Sequence, residues 1–329
     1  MFARLRSAID PYILSLLGTV VLASFLPARG MAAAAFDVAA NAGIVLLFFL
    51  HGAKLSREAI VAGAGHWRLH LAVFLVTFAL FPLLGLGVAA IPGLPGLVAA
   101  GMLFLTLLPS TVQSSIAFTS IARGNVAAAV CSASFSNIAG LVITPLLAAA
   151  LMGHVGAQGG GVHLSLGQVE KIVAQLLVPF LAGHLLRPVI GGFVARHKSL
   201  VGYVDRGSIL LVVYTAFSAA VVEGLWQKLP LWELLLILGL NVLLLAVALA
   251  VTWGLGGLLG FSREDRIVLL FCGSKKSLAS GVPIAGVLFP AAQVGVVILP
   301  LMLFHQIQLM ACAMIARQMA AGSDRHPAA

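Results

Sequence analysis

Two adjacent lysines, Lys275 and Lys276, interrupt a long apolar stretch of the sequence, with apolar runs at 267–272 and 278–289 on either side. If this stretch crosses a membrane, each ammonium group costs at least about 2.5–3.5 kcal/mol, and such residues usually face a cavity on a transport pathway. Uncompensated positive charge in a pocket attracts anions. Two other interpretations remain open: burial keeps one lysine neutral so that it exchanges a proton, or both side chains extend to the membrane surface.

A second polar interruption follows Pro109, where Ser, Thr and Gln side chains replace the apolar residues of another stretch. An unwound helix in a membrane leaves main-chain groups unpaired, and the N-termini of half-helices favour anions. Serines also permit close helix packing, which is the alternative explanation. With polar residues of other apolar stretches added, the candidate substrate- or ion-binding residues are Thr77, Gln113, Ser114, Ser115, Ser132, Asn137, Ser274, Lys275, Lys276, Ser277, His305 and Gln306.

The histidines and acidic residues limit the chemistry further. His305 either carries a proton during transport or is a hydrogen-bonded packing residue. His66 and His70 lack a convincing further metal ligand, so we predict no metal site and no cofactor. All ten acidic residues fall near predicted loops or segment ends, which leaves the lysine pair without an expected carboxylate partner.

The composition requires a membrane protein. Of the 329 residues, 61% are hydrophobic and 9% are charged, against about 25% charged in average soluble domains. A soluble globular fold and a disordered chain are both excluded. Apolar runs of roughly 20 residues suit membrane-spanning helices and not barrel strands. The net charge of +9 comes from basic residues between the apolar runs, as in cytoplasmic loops, so no nucleic-acid partner is predicted.

We predict an all-α polytopic protein with ten apolar membrane segments, at approximately 11–27, 36–52, 70–91, 96–122, 125–152, 168–188, 206–223, 232–259, 264–289 and 292–316. Basic residues concentrate on one side of these segments, which places both termini in the cytoplasm of a bacterial inner membrane. The basic and apolar N-terminus is typical of a retained first helix, which we favour, or of a cleaved secretory signal.

The ten segments divide into two halves of five. The expected organisation is a first repeat at 1–152, a Gly-rich linker at 153–167, a second repeat at 168–317 and a polar cytoplasmic tail at 318–329. Because each half has an odd number of helices, two similar halves insert into the membrane in opposite orientations, as is common in secondary transporters. Both polar interruptions fall in the fourth segment of their half, where 115–117 (SIA) matches 277–279 (SLA). Broken helices at corresponding positions indicate a substrate site.

The sequence resembles the bile acid:sodium symporter family over nearly its whole length. The motifs that carry this resemblance are 48–55 (FFLHGAKL), Leu108-Pro109 with the Ser-rich interruption, 122–125 (ARGN) and 271–278 (FCGSKKSL). The last motif, together with His305 and Gln308, resembles the corresponding residues of a divergent branch of the family, which includes the seventh human paralogue and many bacterial proteins. The resemblance implies a panel domain of helices one, two, six and seven, and a core domain in which broken helices four and nine cross.

Several positions depart from the sodium-coupled members of that family. Where the family has a glutamate and a glutamine of its sodium sites in helix nine, this sequence has Phe271 and Lys275, and Lys276 replaces a neighbouring asparagine. Two ligand positions of helix five fall on Ala129 and Ala133. We therefore predict that the usual two-sodium arrangement is absent, that a lysine ammonium replaces a cation, and that coupling is to protons or absent.

The expected function is secondary transport of a small or amphipathic organic anion by alternating access, in a lipid bilayer. The sequence contains neither a nucleotide-binding glycine loop nor a zinc-protease helix, so an enzyme is not expected. One alternative is a cation/proton exchanger, which would normally need a mid-membrane carboxylate. The other is a non-transporting membrane regulator, for which two broken helices would be an unexplained cost.

Overall fold

The computed structural model describes residues 11–54, 65–153 and 166–324, and every regular element in these ranges is helical. The predicted linker at 153–167 and the end of the predicted tail lie largely outside the described residues. The helices are α1 (Pro11–Phe25), α2 (Gly30–Lys54), α3 (Trp67–Leu75), α4 (Phe81–Ala89), α5 (Gly96–Leu107), α6 (Gln113–Ile121), α7 (Val126–Leu151), α8 (Leu166–Arg196), α9 (Lys198–Val222), α10 (Leu225–Lys228), α11 (Leu231–Leu258), α12 (Arg263–Gly273), α13 (Leu278–Leu288) and α14 (Ala291–Asp324).

Most of these helices are long and apolar enough to cross a bilayer. Within the described ranges eight helical stretches meet that condition, and Leu14–Phe25 and Gly96–Leu107 are shorter apolar helices. Large apolar side chains such as Leu185, Val189 and Leu258 are exposed on the helix surfaces, where lipid solvates them at no cost. The chain is a multi-pass helical membrane protein, as the composition predicts.

The chain divides into two compact units, each built from separate stretches of sequence. Among the described residues, unit 1 comprises 11–54, 166–234 and 281–299, and unit 2 comprises 65–153, 235–280 and 300–324. All twelve candidate residues belong to unit 2. The candidate site is therefore described within unit 2 alone.

In unit 1, two glycines allow α2 and α8 to touch through their backbones. A Cβ atom on Gly52 would lie 1.9 Å from the carbonyl oxygen of Phe180, and one on Gly183 would lie 1.9 Å from that of Phe49. No side chain fits at either position. Small residues at such crossings give membrane helices the close packing that hydrophobic exclusion does not provide inside lipid.

The limits of α8 and α9 differ from the predicted segments. The predicted segment ends at Pro188, but α8 continues to Arg196, because neighbouring groups in membrane proteins compensate for the hydrogen bond that proline removes. The next helix accordingly begins at Lys198, earlier than predicted. Asp205 therefore lies in the third turn of α9, where its carboxylate forms an ion pair with Lys54 of α2.

Candidate functional site

The stretch between α5 and α6 is the first non-helical interruption. Helix α5 ends at Leu107, Leu108 has an extended backbone (φ −77°, ψ 154°), and α6 begins at Gln113. Pro109 explains the extended conformation of Leu108, because a proline ring disfavours the helical conformation of the preceding residue. Helix α7 approaches this point through Gly140, where a Cβ atom would lie 2.7 Å from the Pro109 side chain.

The stretch between α12 and α13 is the second interruption. Helix α12 ends at Gly273 and α13 begins at Leu278, so Ser274, Lys275, Lys276 and Ser277 connect the two helices. All four residues are buried. Main-chain groups in these connections lack helical partners and must find others inside the protein.

Every carbonyl oxygen from Thr106 to Ser110 accepts a hydrogen bond from another part of unit 2. The Lys276 ammonium donates to the carbonyl oxygens of Thr106 and Leu108, both at 2.8 Å. The main-chain N–H of Ser277 donates to the carbonyl oxygen of Pro109 at 2.9 Å. Two side chains of α7 donate to the remaining carbonyl oxygens: Thr144 to Leu107 at 2.9 Å, and Asn137 to Ser110 at 2.6 Å. Residues distant in sequence thus satisfy the carbonyl groups at the end of α5.

The third hydrogen of the Lys276 ammonium is donated to the carbonyl oxygen of Thr77 at 2.9 Å. Thr77 lies in a π-helical turn, Val76–Leu80, in which the N–H of Phe81 bonds five residues back to Val76. The next bond in this register would join Pro82 to Thr77, but proline has no N–H, so the Thr77 carbonyl is available.

Lys276 is consequently saturated. Its side chain is 0% exposed, its ammonium has three carbonyl acceptors, and the nitrogen lies 4.1 Å from the centre of the Phe81 ring. An ammonium has three hydrogens to donate. The expectation that both lysines face a cavity therefore differs from the structure at Lys276.

Lys275 points to α6 and has a different environment. Its nitrogen lies 3.3 Å from the Ser114 hydroxyl oxygen, 4.4 Å from the centre of the Phe118 ring and 5.6 Å from that of Phe271. The side chain is also fully buried. Ser115, next to Ser114, donates its hydroxyl to the Phe271 carbonyl at 3.0 Å, so α6 closes the end of α12 as Lys276 closes that of α5.

Asn137 of α7 connects both interruptions. Its amide nitrogen donates to the Ser110 carbonyl, and its amide oxygen accepts from the Ser280 hydroxyl at 2.8 Å. Ser280 in turn contacts Ser277 through the two hydroxyl oxygens at 3.1 Å. Ser280 is not among the candidates from sequence, although its spacing of three residues from Ser277 on the start of α13 could have indicated this pair.

Gln308 of α14 is the other important residue that the candidate set omits. Its Oε1 accepts from the main-chain N–H of Lys276 at 2.9 Å, and its Nε2 donates to the main-chain oxygen of Lys276 at 2.9 Å. We call this pair of bonds the Gln308 bridge. Nε2 also lies 2.9 Å from Nδ1 of His305. A glutamine three residues after an intramembrane histidine was the available signal.

The remaining candidates lie away from this network or at its edge. Ser132 is buried on α7 and pairs with Nδ1 of His70 at 2.7 Å. The Ser274 hydroxyl donates to the carbonyl oxygen of Leu270 in the preceding helix, α12. Gln113 is exposed at the start of α6 and Gln306 is half-buried, and within the described residues no hydrogen bond connects either side chain to the network.

Comparison with known proteins identifies the family. Residues 10–321 match the family model described as the SBF-like CPA transporter family. An uncharacterized Pseudomonas aeruginosa protein, PA2026, is 56% identical over 99% of this chain and 98% of its own. The Escherichia coli K12 protein named "Putative symporter YfeH" is 52% identical over 96% and 94%. Mouse sodium/bile acid cotransporter 7 is 26% identical over 81% and 78%.

These matches confirm the resemblance that the motifs indicate, and they cover nearly all of the described helices. The family and the relatives named as symporters or cotransporters are transporters and not enzymes. The chain belongs to the SBF-like CPA transporter family, among the membrane transporters related to bile acid:sodium symporters.

Proposed function

We propose that this protein is an inner-membrane secondary transporter that moves a small or amphipathic organic anion by alternating access. The observation that carries the proposal is the position of Lys275. Its fully buried ammonium lies directly behind the Ser114 hydroxyl in the first turn of α6. Unlike Lys276, it has no carbonyl acceptor among the described residues.

The start of α6 has the chemistry that binds an anion. The N–H groups of a first helical turn and the helix dipole favour negative charge. Lys275 adds a positive charge from inside the protein, and Gln113 adds an exposed amide. A carboxylate, sulfonate or phosphate oxygen placed beside Ser114 would lie at the start of α6, with the Lys275 ammonium on the inner side of the Ser114 hydroxyl. This supports an organic anion as the substrate.

The surroundings of Lys276 support the absence of the usual two-sodium site. Three carbonyl oxygens within 2.9 Å are ligands that a bare cation would otherwise take, and the ammonium fills their centre. Ala129 and Ala133 offer no side-chain oxygen. Coupling is then to protons, or absent. The name of the mouse relative includes sodium, so sodium-coupled transport is the second candidate.

The two interruptions support a pair of inverted five-helix repeats with helices four and nine broken. Lys276, between α12 and α13, caps the end of α5, and Ser115, in the first turn of α6, caps the end of α12. Two repeats of odd helix number place their equivalent breaks in opposite orientations. With basic residues concentrated on one side of the segments, both termini would be cytoplasmic.

A thermal-shift screen of organic anions on the detergent-solubilised protein tests the binding step. A ligand that binds only the folded state raises the melting temperature, and Lys275→Met should abolish this rise. Lys198→Met, at an exposed lysine in unit 1, is the matched control and should retain it. Equal stabilisation of both variants would contradict the proposed site.

Uptake of the identified anion into proteoliposomes tests the transport step. We expect the same rate in sodium and in choline buffers. Sodium-dependent uptake with ordinary sodium affinity would overturn the proposed loss of the sodium sites and favour the second candidate.

A further inference from the structure

The hydrogen bonds of Gln308 favour one protonation state of His305. The Lys276 N–H needs an acceptor and the Lys276 carbonyl needs a donor, so the amide of Gln308 can face them only with Oε1 toward the nitrogen and Nε2 toward the oxygen. The reverse orientation would place the amide nitrogen of Gln308 against the Lys276 N–H, donor against donor, and the amide oxygen against the Lys276 carbonyl, acceptor against acceptor. Although amide orientation is often ambiguous, the main chain of Lys276 decides it here.

One hydrogen of the Gln308 amide remains, and it is directed to His305. Nε2 carries two hydrogens: one is donated to the Lys276 carbonyl, and the other meets Nδ1 of His305 at 2.9 Å. Nδ1 must therefore accept, which requires a neutral imidazole with its proton on Nε2. An imidazolium would place an N–H against an N–H, because an amide nitrogen has no lone pair to offer.

We propose that Nδ1 of His305 is the proton-binding site of this transporter, and that proton binding there breaks the Gln308 bridge and frees the main chain between α12 and α13. The link to transport rests on the proposed function. Gln308 is completely buried, so a Gln308 side chain displaced by the new N–H finds no water to replace its lost bonds. Protonation is thereby converted into a change at the interrupted helix.

Several titratable and charged groups lie on the elements near His305. The interruption that faces this turn of α14 contributes Lys275 and Lys276, both basic. Phe81 packs edge-on against Phe304, and the rest of α4 contains no titratable side chain. Asn241 of α11 donates to the Pro300 carbonyl, and the titratable residue of α11 is Glu233, at its start.

Helices α12 and α14 also carry titratable groups. The acidic residues of α12, Glu264 and Asp265, are at its first turn, roughly 13 Å along the helix from the interruption. Two buried thiols also belong to these helices: Cys272 near the end of α12, and Cys312, the next titratable residue after His305 on α14. Nδ1 of His305 is thus the protonation site in direct contact with the Gln308 bridge.

Hydrogen exchange resolved to single residues tests the proposal on the purified full-length protein, without any substrate. The Lys276 amide donates to Gln308, whereas the neighbouring Ser277 amide donates to the Pro109 carbonyl and serves as an internal reference. Between about pH 8 and about pH 5, where histidine titrates, protection of Lys276 should fall about tenfold after correction for intrinsic exchange. Ser277 should lose less.

Two variants of His305 separate protonation from other effects of pH. His305→Asn places an amide oxygen near the position of Nδ1, accepts from Gln308 and does not titrate, so protection of Lys276 should stay high throughout. His305→Phe retains a flat ring without an acceptor, and protection should be low at every pH. Nitrogen NMR of 15N-histidine-labelled protein should also show Nδ1 of His305 unprotonated at about pH 8.

Constant protection in the wild type, or an equal fall in His305→Asn, would overturn the proposal. Because none of these measurements uses a substrate, they are independent of the anion screen. A failed screen with pH-dependent protection would contradict the proposed substrate and leave the proton site supported.

Discussion

The ammonium of Lys276 donates a hydrogen bond to the carbonyl oxygen of Leu108 at 2.8 Å, across 168 positions of sequence. Leu108 directly follows α5, and Lys276 lies between α12 and α13, so a side chain from one non-helical stretch caps the helix that precedes the other. A lysine inside a membrane protein is usually expected to contact substrate or a carboxylate. Here its three acceptors are all main-chain oxygens, so we expect its primary role to be structural.

Removal of this ammonium should be far more damaging than removal of its neighbour. Lys276→Met leaves three buried carbonyl oxygens without donors and should lower the free energy of unfolding by about 3 kcal/mol or more. Lys275→Met removes a single hydrogen bond, the one to the Ser114 hydroxyl, and should lower the free energy of unfolding by less than half as much. Unfolding by SDS in mixed micelles measures both, with exposed Lys198→Met as the control. Equal stabilities of the Lys276 and Lys198 variants would refute the structural role.

The stability of the protein should depend on the hydrogen-bonding groups of the side chain at position 137 as well as on its size. Asn137→Ala removes the bonds to the Ser110 carbonyl and the Ser280 hydroxyl and should destabilise the protein by about 2 kcal/mol. Asn137→Asp has the same shape but places an oxygen against the Ser110 carbonyl, so it should be at least as harmful. Ser280→Ala removes one bond and should cost about 1 kcal/mol. A harmless Asp substitution would show that the Asn137–Ser110 bond is unimportant.

The crossing of α2 and α8 predicts a strong effect of single methyl groups. Gly52→Ala and Gly183→Ala each place a carbon about 1.9 Å from a main-chain oxygen, which forces the helices apart. We expect losses of at least about 2 kcal/mol in unfolding free energy. Gly202→Ala on α9 meets nothing within 4 Å and should be neutral or stabilising by up to about 1 kcal/mol. Similar stabilities of all three variants would exclude the backbone contact.

The Lys54–Asp205 ion pair should contribute modestly. The two side chains are 33% and 14% exposed, so water and ions screen their attraction. A double-mutant cycle with Lys54→Ala and Asp205→Ala should give a coupling free energy of about 0.5–1 kcal/mol that decreases at high salt. A coupling unaffected by salt would place the pair away from solvent and contradict this expectation.

The class of protein could be predicted from the sequence because membrane insertion depends on hydropathy summed over neighbouring residues. Both interruptions could also be located, since Pro109 affects the conformation of the residue beside it and Lys275 and Lys276 stand out in an apolar run. These are local signals. The start of α9 differs from the predicted position because α8 continues past Pro188: a proline stops a helix in water but not among membrane helices that compensate for its missing N–H.

Only the tertiary structure distinguishes the two lysines. They are identical in type and adjacent in sequence, yet Lys276 points to carbonyls of α5 and the π-helical turn, while Lys275 points to Ser114 and Phe118 of α6. In a non-helical connection, successive side chains point in different directions, and their partners lie more than a hundred residues away. Which ammonium is saturated therefore depends on how the helices pack, a relation between distant residues that hydropathy and spacing do not contain.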